Sequence, residues 1–421
     1  MNPICFAFSK VRPRLLRGLM AAALLTTAGA AETLALHGHI PPGLNHLQPT
    51  GRLSATTNLN LAIGLPLRDK EGLSKLLQQL YDPASTNYQH YLSAPEFAER
   101  FGPTEQDYQA VIEFAKRNGF TVTGTHPNRV VLDVRASVAS IEKAFQVTLR
   151  VYRHPTEPRD FHAPDAEPSV PAGLPILDIS GLDDYMPPRP VGLRRGPAGQ
   201  GGDTNVQVKA YATGSGPGGD FIGNDFRAAY ARGVPLTGLG QYIGLFEFGP
   251  YFTNDIILYK QAAGLPPSIV VSNILLDGFT GIPPAGADDG EEALDIDMAM
   301  CMAPGATILV YEGNSAIDIF NRMATDNLAK QMGCSFGFLP PPSTMDQVFQ
   351  QFAVQGQTMF VASGDGGAYS TNAIFAPADD PNITSVGGTS LTTSGAGGPW
   401  QSETTWIGSG GGISPNYAIP T

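Results

Sequence analysis

Between residues 221 and 362 the chain alternates short apolar runs with stretches of helical character, and that alternation limits the fold more than any other feature of the sequence. Residues 241–246, 269–276, 307–311, 333–336 and 358–362 read as strands, and 255–263, 290–302, 317–330 and 346–354 as helices. Each strand is apolar throughout, so it needs cover on both faces. The pattern predicts an α/β unit: a largely parallel sheet with helices on both sides. In such sheets function gathers at the carboxyl ends of the strands. Glu247, Phe336 and Asp365 each fall at or just past a strand end and are predicted to share one edge.

The helix over 290–302 reads GEEALDIDMAMCM and is closed by Ala303-Pro304-Gly305. Ala, Leu, Met and Glu favour helix, Asp288 and Asp289 offer caps, and the Pro-Gly pair stops it. Glu291 and Asp295 lie four apart and share a face, beside an apolar stripe of Leu294, Met298, Cys301 and Met302. Like charges so placed repel, more strongly when buried. Two explanations stay open on this helix alone. One is a coupled acid pair that shares a proton and can act as a general base; the other is a solvated acidic face favoured by the helix N-terminal dipole. Glu292 and Asp297 fall on other faces and read as ordinary helix charges.

Histidine usage narrows the chemistry. All seven histidines (37, 39, 46, 90, 126, 154 and 162) precede residue 163. A Ser-His-Asp triad and a histidine-ligated zinc are therefore both excluded from the second half, where a base must be a carboxylate. Among the seven, only His37-x-His39 has paired spacing, in a predicted loop, so they read as surface or core histidines and no metal site is predicted. A length of 421 residues with 42% hydrophobic content allows two domains with real cores. The net charge of -12, without a basic block, argues against nucleic acid and anionic membranes as partners. Of three cysteines, Cys5 lies in a segment expected to be removed, and Cys301 and Cys334 sit in apolar surroundings that predict buried free thiols.

The N-terminus runs from basic (Lys10, Arg12, Arg14, Arg17) through apolar (residues 19–25) to small (Ala28-Gly29-Ala30), the order of a cleaved secretory signal over residues 1–30. Residues 31–186 mix helices (70–82, 94–101, 105–118, 139–145) with strands (129–134, 147–152), which suggests an α+β domain with an antiparallel sheet. Residues 187–220 are rich in Pro and Gly, contain Arg194-Arg195 and lack periodicity; they read as an exposed, cleavable linker.

The run Asp82-Pro83-Ala84-Ser85-Thr86-Asn87-Tyr88-Gln89-His90-Tyr91-Leu92-Ser93, followed by residues 96–103, resembles the activation prodomain of sedolisin (serine-carboxyl) peptidases of the kumamolisin type. Asn128-Arg129, Ala144-Phe145, Arg150-Val151-Tyr152 and Gly181-Leu182-Asp183 extend the likeness. In the second half, Gly290-Glu291-Glu292-Ala293-Leu294-Asp295 with Ala303-Pro304-Gly305-Ala306 is similar to the sedolisin segment whose Glu and Asp reach the nucleophilic serine. The resemblance makes Glu291 the base and Asp295 its orienting partner. Val361-Ala362-Ser363-Gly364-Asp365-Gly366-Gly367 resembles the family's oxyanion turn, with Gly366 where Ser is usual. It implies a protonated Asp365 that donates to the tetrahedral intermediate, and so acid operation. On its own residues Asp365 reads rather as a turn aspartate favoured before glycine. Gly244-Leu245-Phe246-Glu247-Phe248-Gly249 aligns Glu247 with an outer carboxylate of the family's hydrogen-bond chain. In Ser335-Phe336-Gly337 the middle residue is usually Trp, and Phe336 cannot supply its indole N–H.

The resemblance implies a subtilisin-like peptidase domain over 221–421, a prodomain over 31–186 that inhibits it intramolecularly, protein or peptide substrates, and a secreted or periplasmic location. It also implies a Gly-Thr-Ser-x-x-x-Pro nucleophile segment and an Asp- and Gly-rich calcium loop, neither of which occurs in these residues. Ser390 lacks the proline four residues on and reads as part of an earlier strand. The expectation is a precursor of an acid endopeptidase that is inactive as the chain stands, with calcium bound only in the completed domain. The alternative is a non-enzymatic prodomain that inhibits or chaperones a related protease, joined to a relic of the catalytic domain.

Overall fold

The computed structural model describes Met1 and residues 32–191, 214–338, 343–369 and 374–418. The predicted signal segment and most of the predicted linker, including Arg194-Arg195, lie outside them. Among the described residues no helix is long and apolar enough to cross a membrane.

The apolar runs of the second half form a six-stranded parallel sheet. In spatial order its strands are Val270–Leu275, Thr307–Glu312, Tyr242–Glu247, Gln331–Cys334, Thr358–Ala362 and Thr384–Val386. Thr307–Glu312 shows why its interior, Ile308 to Tyr311, is an unbroken apolar run. Ile308 and Val310 pack with Ile296, Met300 and Cys301 of the acidic helix, whereas Leu309 and Tyr311 join a separate core with Phe320, Met323, Phe349 and Phe352. Successive side chains thus enter cores on opposite faces, each needing a helix above it. The helix after Thr307–Glu312 covers Ala316–Asp326 and stops short of Lys330, because Asn327 turns into the left-handed region at φ 48°. Cys301 and Cys334 are free and buried.

The acidic helix spans Gly290–Met302, but its inward row is Ile296, Met300 and Cys301. Leu294 and Met302 point to solvent, at 41% and 37% exposure. The expected stripe is therefore rotated, since the helix presents the residues 292, 296 and 300, one turn apart, to the sheet. Asp289 caps no helical amide and instead accepts from the Phe252 N–H at 2.8 Å.

The first half contains antiparallel sheets of four strands (Thr121–Thr125, Val131–Ser137, Asn58–Gly64 and Asp178–Ser180, in spatial order) and three strands (Pro49–Arg52, Leu149–Arg153 and Asp160–Pro164). Its helices are amphipathic and well capped; Ser93 and Glu96 form a reciprocal capping box at the start of Ala94–Arg100. Leu73, Leu76, Leu80, Phe97 and Phe101 of this half lie in the same core as Phe320, Phe349 and Phe352 of the other.

A buried polar seam runs beside that shared core. The Asn128 amide donates to Asn321 Oδ1 at 2.6 Å and to Gln351 Oε1 at 2.8 Å, Gln347 accepts from Leu67 N–H at 2.7 Å, and Asp178 accepts from Thr344 N–H at 2.6 Å. Gly64 has no side chain because a Cβ there would sit 1.7 Å from Thr344 Oγ1. Asn128→Ala would leave two buried amide oxygens without donors, at about 1–3 kcal/mol each before relaxation. The expected outcome is a lowered thermal midpoint with unchanged secondary structure by circular dichroism; an unaltered midpoint would mean that the seam adds nothing.

Candidate active site

Parallel register brings the acids together. Glu247 ends the central strand opposite Glu312 of its neighbour, and both are 0% exposed. The acidic helix starts beside this edge, with Glu291 and Glu292 buried in its first turn. Asp295 follows one turn later and accepts from Ser335 Oγ at 2.9 Å.

Burial, and then the Asp295 charge, push Glu291 up to about 7, with Asp365 adding to the rise and Ser335 opposing it. Asp295 is likewise pushed up to about 7, chiefly by burial, with Ser335 opposing and the Glu292 charge adding. Glu247 rises far above the usual carboxylate range through burial and the charges of Asp295, Glu292, Glu291 and Glu312. Burial and Glu292 bring Glu312 to about 7. Both oxygens of Glu247 and of Glu312 are buried without a hydrogen-bond partner. Such a cluster holds protons that isolated carboxyls would release, and its members titrate together.

Asp365 sits in the turn after Thr358–Ala362, reached through Gly364 at φ 102°, a left-handed conformation that favours glycine. Its carboxylate is near enough to Glu291 to raise it. Phe336 is buried, its ring 5.8 Å from that of Phe246. It offers Glu247 no donor. Ser390 pairs with Thr404 in the hairpin Thr389–Thr393 and Trp400–Thr405, and no hydrogen bond between described residues joins it to Glu291 or Asp295.

One stretch of the first half enters this edge. Arg189–Pro190 pairs antiparallel with Phe336–Gly337. Val191 N–H then donates to Ser335 O at 3.1 Å, and Val191 O accepts from the Asp365 N–H at 3.0 Å. An extended backbone thus lies between the serine that contacts the acid pair and the turn that carries Asp365.

Two sequence readings need correction. Glu292 and Asp297 are not solvated helix charges: they are 6% and 9% exposed, because they lie on or next to the inward row of Ile296 and Met300. Burial, and then the charges of Asp255 and Asp289, raise Asp297 to about 8. Sequence reasoning also passed over Glu312 and the Ser335 hydroxyl. The strand-end rule that selected Glu247 applies equally to Glu312, one residue beyond the strand predicted over 307–311.

Among the described residues, the side chains placed to hold a cation are His126, Asp133 and Asp318, a set that includes neither Glu291 nor Asp295. An imidazole in the donor set does not fit calcium, which takes oxygen ligands.

Residues 45–185 match the family of Pro-kumamolisin activation domains. Over longer spans the chain is 27% identical to xanthomonalisin of Xanthomonas sp. (strain T-22), covering 93% of this chain and 52% of that protein. It is 27% identical to sedolisin of Pseudomonas sp. (strain 101), covering 85% and 64%. To kumamolisin of Bacillus sp. (strain MN-32) it is 28% identical, covering 79% and 63%. The chain thus spans roughly half to two thirds of the length of these curated relatives. Among solved structures it resembles Pseudomonas sedolisin, a serine-carboxyl proteinase complexed with pseudo-iodotyrostatin, at 25% identity and a TM-score of 0.39, over 47% of this chain and 64% of that one.

Proposed function

From the premise that this chain is a relative of the sedolisin peptidases carrying a Pro-kumamolisin activation domain, we propose that it is the precursor of a secreted, acid-acting serine-carboxyl endopeptidase. The observation that carries this reading is the meeting of Glu291, Asp295 and Asp365 at one sheet edge, in a cluster whose crowding favours protonated carboxyls. The pair holds one proton between its two carboxyls; with that proton on Asp295, the ionised Glu291 takes the proton of a serine hydroxyl as that oxygen attacks the peptide carbonyl, and later delivers it to the leaving amine. Asp295 is the positioning partner that shares the proton. Asp365, protonated, donates to the oxyanion, where an ionised carboxylate would repel it. The nucleophile lies outside the motifs recognised in these residues, and calcium enters no step.

The substrate is an extended peptide added as a strand along Ser335, Phe336 and Gly337. Residues 189–191 hold that position in the precursor, which makes the activation half its intramolecular inhibitor. Cleavage within the predicted linker over 187–220, followed by departure of the activation half, then frees the edge. The basic, apolar, small order of residues 1–30 supports export.

The test is acid-dependent release of peptides from a denatured protein by the gene product, lost on Glu291→Ala. Proteolysis confined to neutral pH, or indifferent to that substitution, would overturn the reading. A second expectation concerns the inhibitory strand. Val191→Pro removes the N–H that bonds Ser335 O, and one lost hydrogen bond weakens such a contact by up to about tenfold. The lag before activity appears at acid pH should shorten; an unchanged lag would separate residues 189–191 from inhibition.

A further inference from the structure

A group distinct from Glu291 and Asp295 is formed by His126 and Asp133 of the first half and Asp318 of the second, with one ligand atom of each within 4.8 Å of the others. His126 follows the strand Thr121–Thr125, Asp133 lies on Val131–Ser137, and Asp318 stands in the first turn of Ala316–Asp326. His126 Nε2 lies 2.8 Å from Asp133 Oδ2. Asp318 is 5% exposed and Asp133 7%, and Oδ1 of each is buried without a hydrogen-bond partner. The Asp318 carboxyl is close to those of both Asp133 and Asp277. Among the described residues no lysine or arginine is ion-paired with any of these three acids. Room for the arrangement is provided by Gly124, opposite Asp133 across the sheet, where a Cβ would fall 2.2 Å from Asp133 Oδ2. Asp133, Asp277 and Asp318 also line a cavity of about 940 Å³, which gives water access to the site.

Buried carboxylates with unsatisfied oxygens, facing one imidazole, form a donor set that a cation completes. The geometry points to a divalent transition-metal site formed by His126, Asp133 and Asp318, with Asp277 beside it, that ties the activation half to the parallel-sheet half. One nitrogen and two or three carboxylate oxygens suit zinc or manganese, whereas calcium prefers an all-oxygen shell. A cation here takes the place of the proton between His126 and Asp133 and neutralises repulsion that the two halves otherwise carry between them. The site stands apart from the proposed peptidase chemistry and does not depend on it.

The test uses the full chain at neutral pH, with zinc as the probe and calcium as the contrast. Calorimetry should show one equivalent of zinc bound, with calcium at least about tenfold weaker, and EDTA should lower the thermal midpoint of the zinc-loaded chain. His126→Ala and Asp318→Asn should each weaken zinc binding about 10–100-fold, as loss of a ligand or its support typically does. Replacement of the exposed His90 by Ala should leave it unchanged. Should the substituted chains not fold, the parent chain still decides: zinc should protect His126, mapped by mass spectrometry, from diethyl pyrocarbonate. No stoichiometric zinc binding, binding that survives both substitutions, a preference for calcium, or an unprotected His126 would each overturn the site.

Discussion

The chain should be more stable at pH about 4.5 than at pH about 7.5, with a thermal midpoint higher by roughly 10 °C. Glu291, Asp295 and Glu312 are raised to about 7 and Asp297 to about 8, and Asp380, outside the cluster, is raised to about 7, in each case mainly by burial. Each binds its proton more tightly in the folded chain than in the unfolded one. The stability they contribute is therefore fully present below the ordinary carboxylate range, and it is lost as pH rises through about 7–8. A tenfold tighter hold on one proton corresponds to about 1.4 kcal/mol, so even after allowance for solvent screening and coupling the sum is on the order of several kcal/mol. Glu96, Glu157 and Glu403 act in the opposite sense, held low by hydrogen bonds near the surface where such effects are weak. Asp184 and the buried Asp225, where burial is outweighed by hydrogen bonds that hold them low, also offset part of the sum. Buried His39, lowered by burial, also opposes, since its contribution is lost as pH falls. Calorimetric scans across this range decide the matter. A midpoint that rises with pH would show that the acid cluster is not protonated in the folded chain.

In the enzyme assembled with its nucleophilic serine, Glu291→Gln should cut acid proteolysis by about 100- to 10,000-fold, the contribution typical of a general base. The glutamine keeps the size of the side chain and removes like-charge repulsion with Asp295, so folding should be unharmed. Asp365→Asn should behave differently. Its amide still donates an N–H but cannot ionise, so part of the activity should persist while the alkaline limb of the pH profile moves or flattens. Histidine cannot set that limb, since none occurs after His162. An Asn variant with the parent's alkaline limb would remove Asp365 from the oxyanion role. A Glu291→Gln enzyme with near-parental turnover would remove Glu291 from the proton transfer.

The parallel sheet was legible because its inner strands are apolar on both faces, a pattern that two-sided burial explains; the edge strand Val270–Leu275, read as equally covered, is largely exposed. The acidic helix was legible in extent but not in orientation. Its composition is apolar around most of its circumference, so the side that faces the sheet could not be chosen from the sequence, and Glu292 and Asp297 were read as solvated. Glu247 and Asp365 came from the strand-end rule, which reaches Glu312 only once that strand is extended by a residue. The contact of Ser335 with Asp295 depends on two elements 40 residues apart and has no local signature. The grouping of His126 and Asp133 with Asp318 is more distant still, and a search for closely spaced ligands cannot find it. The contact of Asn128 with Asn321 and Gln351 likewise joins residues 193 and 223 positions apart and has no local signature.

The core shared by the two halves bears on what a cut between them could accomplish. Leu73, Leu76, Phe97 and Phe101 interdigitate with Phe320, Phe349 and Phe352 as residues within a single protein interior do. Severing the backbone after Val191 removes a tether and leaves this contact whole, so the nicked molecule should migrate as one particle in gel filtration. On the proposed reading, activation would therefore need two separable events, scission and dissociation. The second must strip water-shy surface from the helices Ala316–Asp326 and Ser343–Val354, and it sets how long a clipped molecule stays silent.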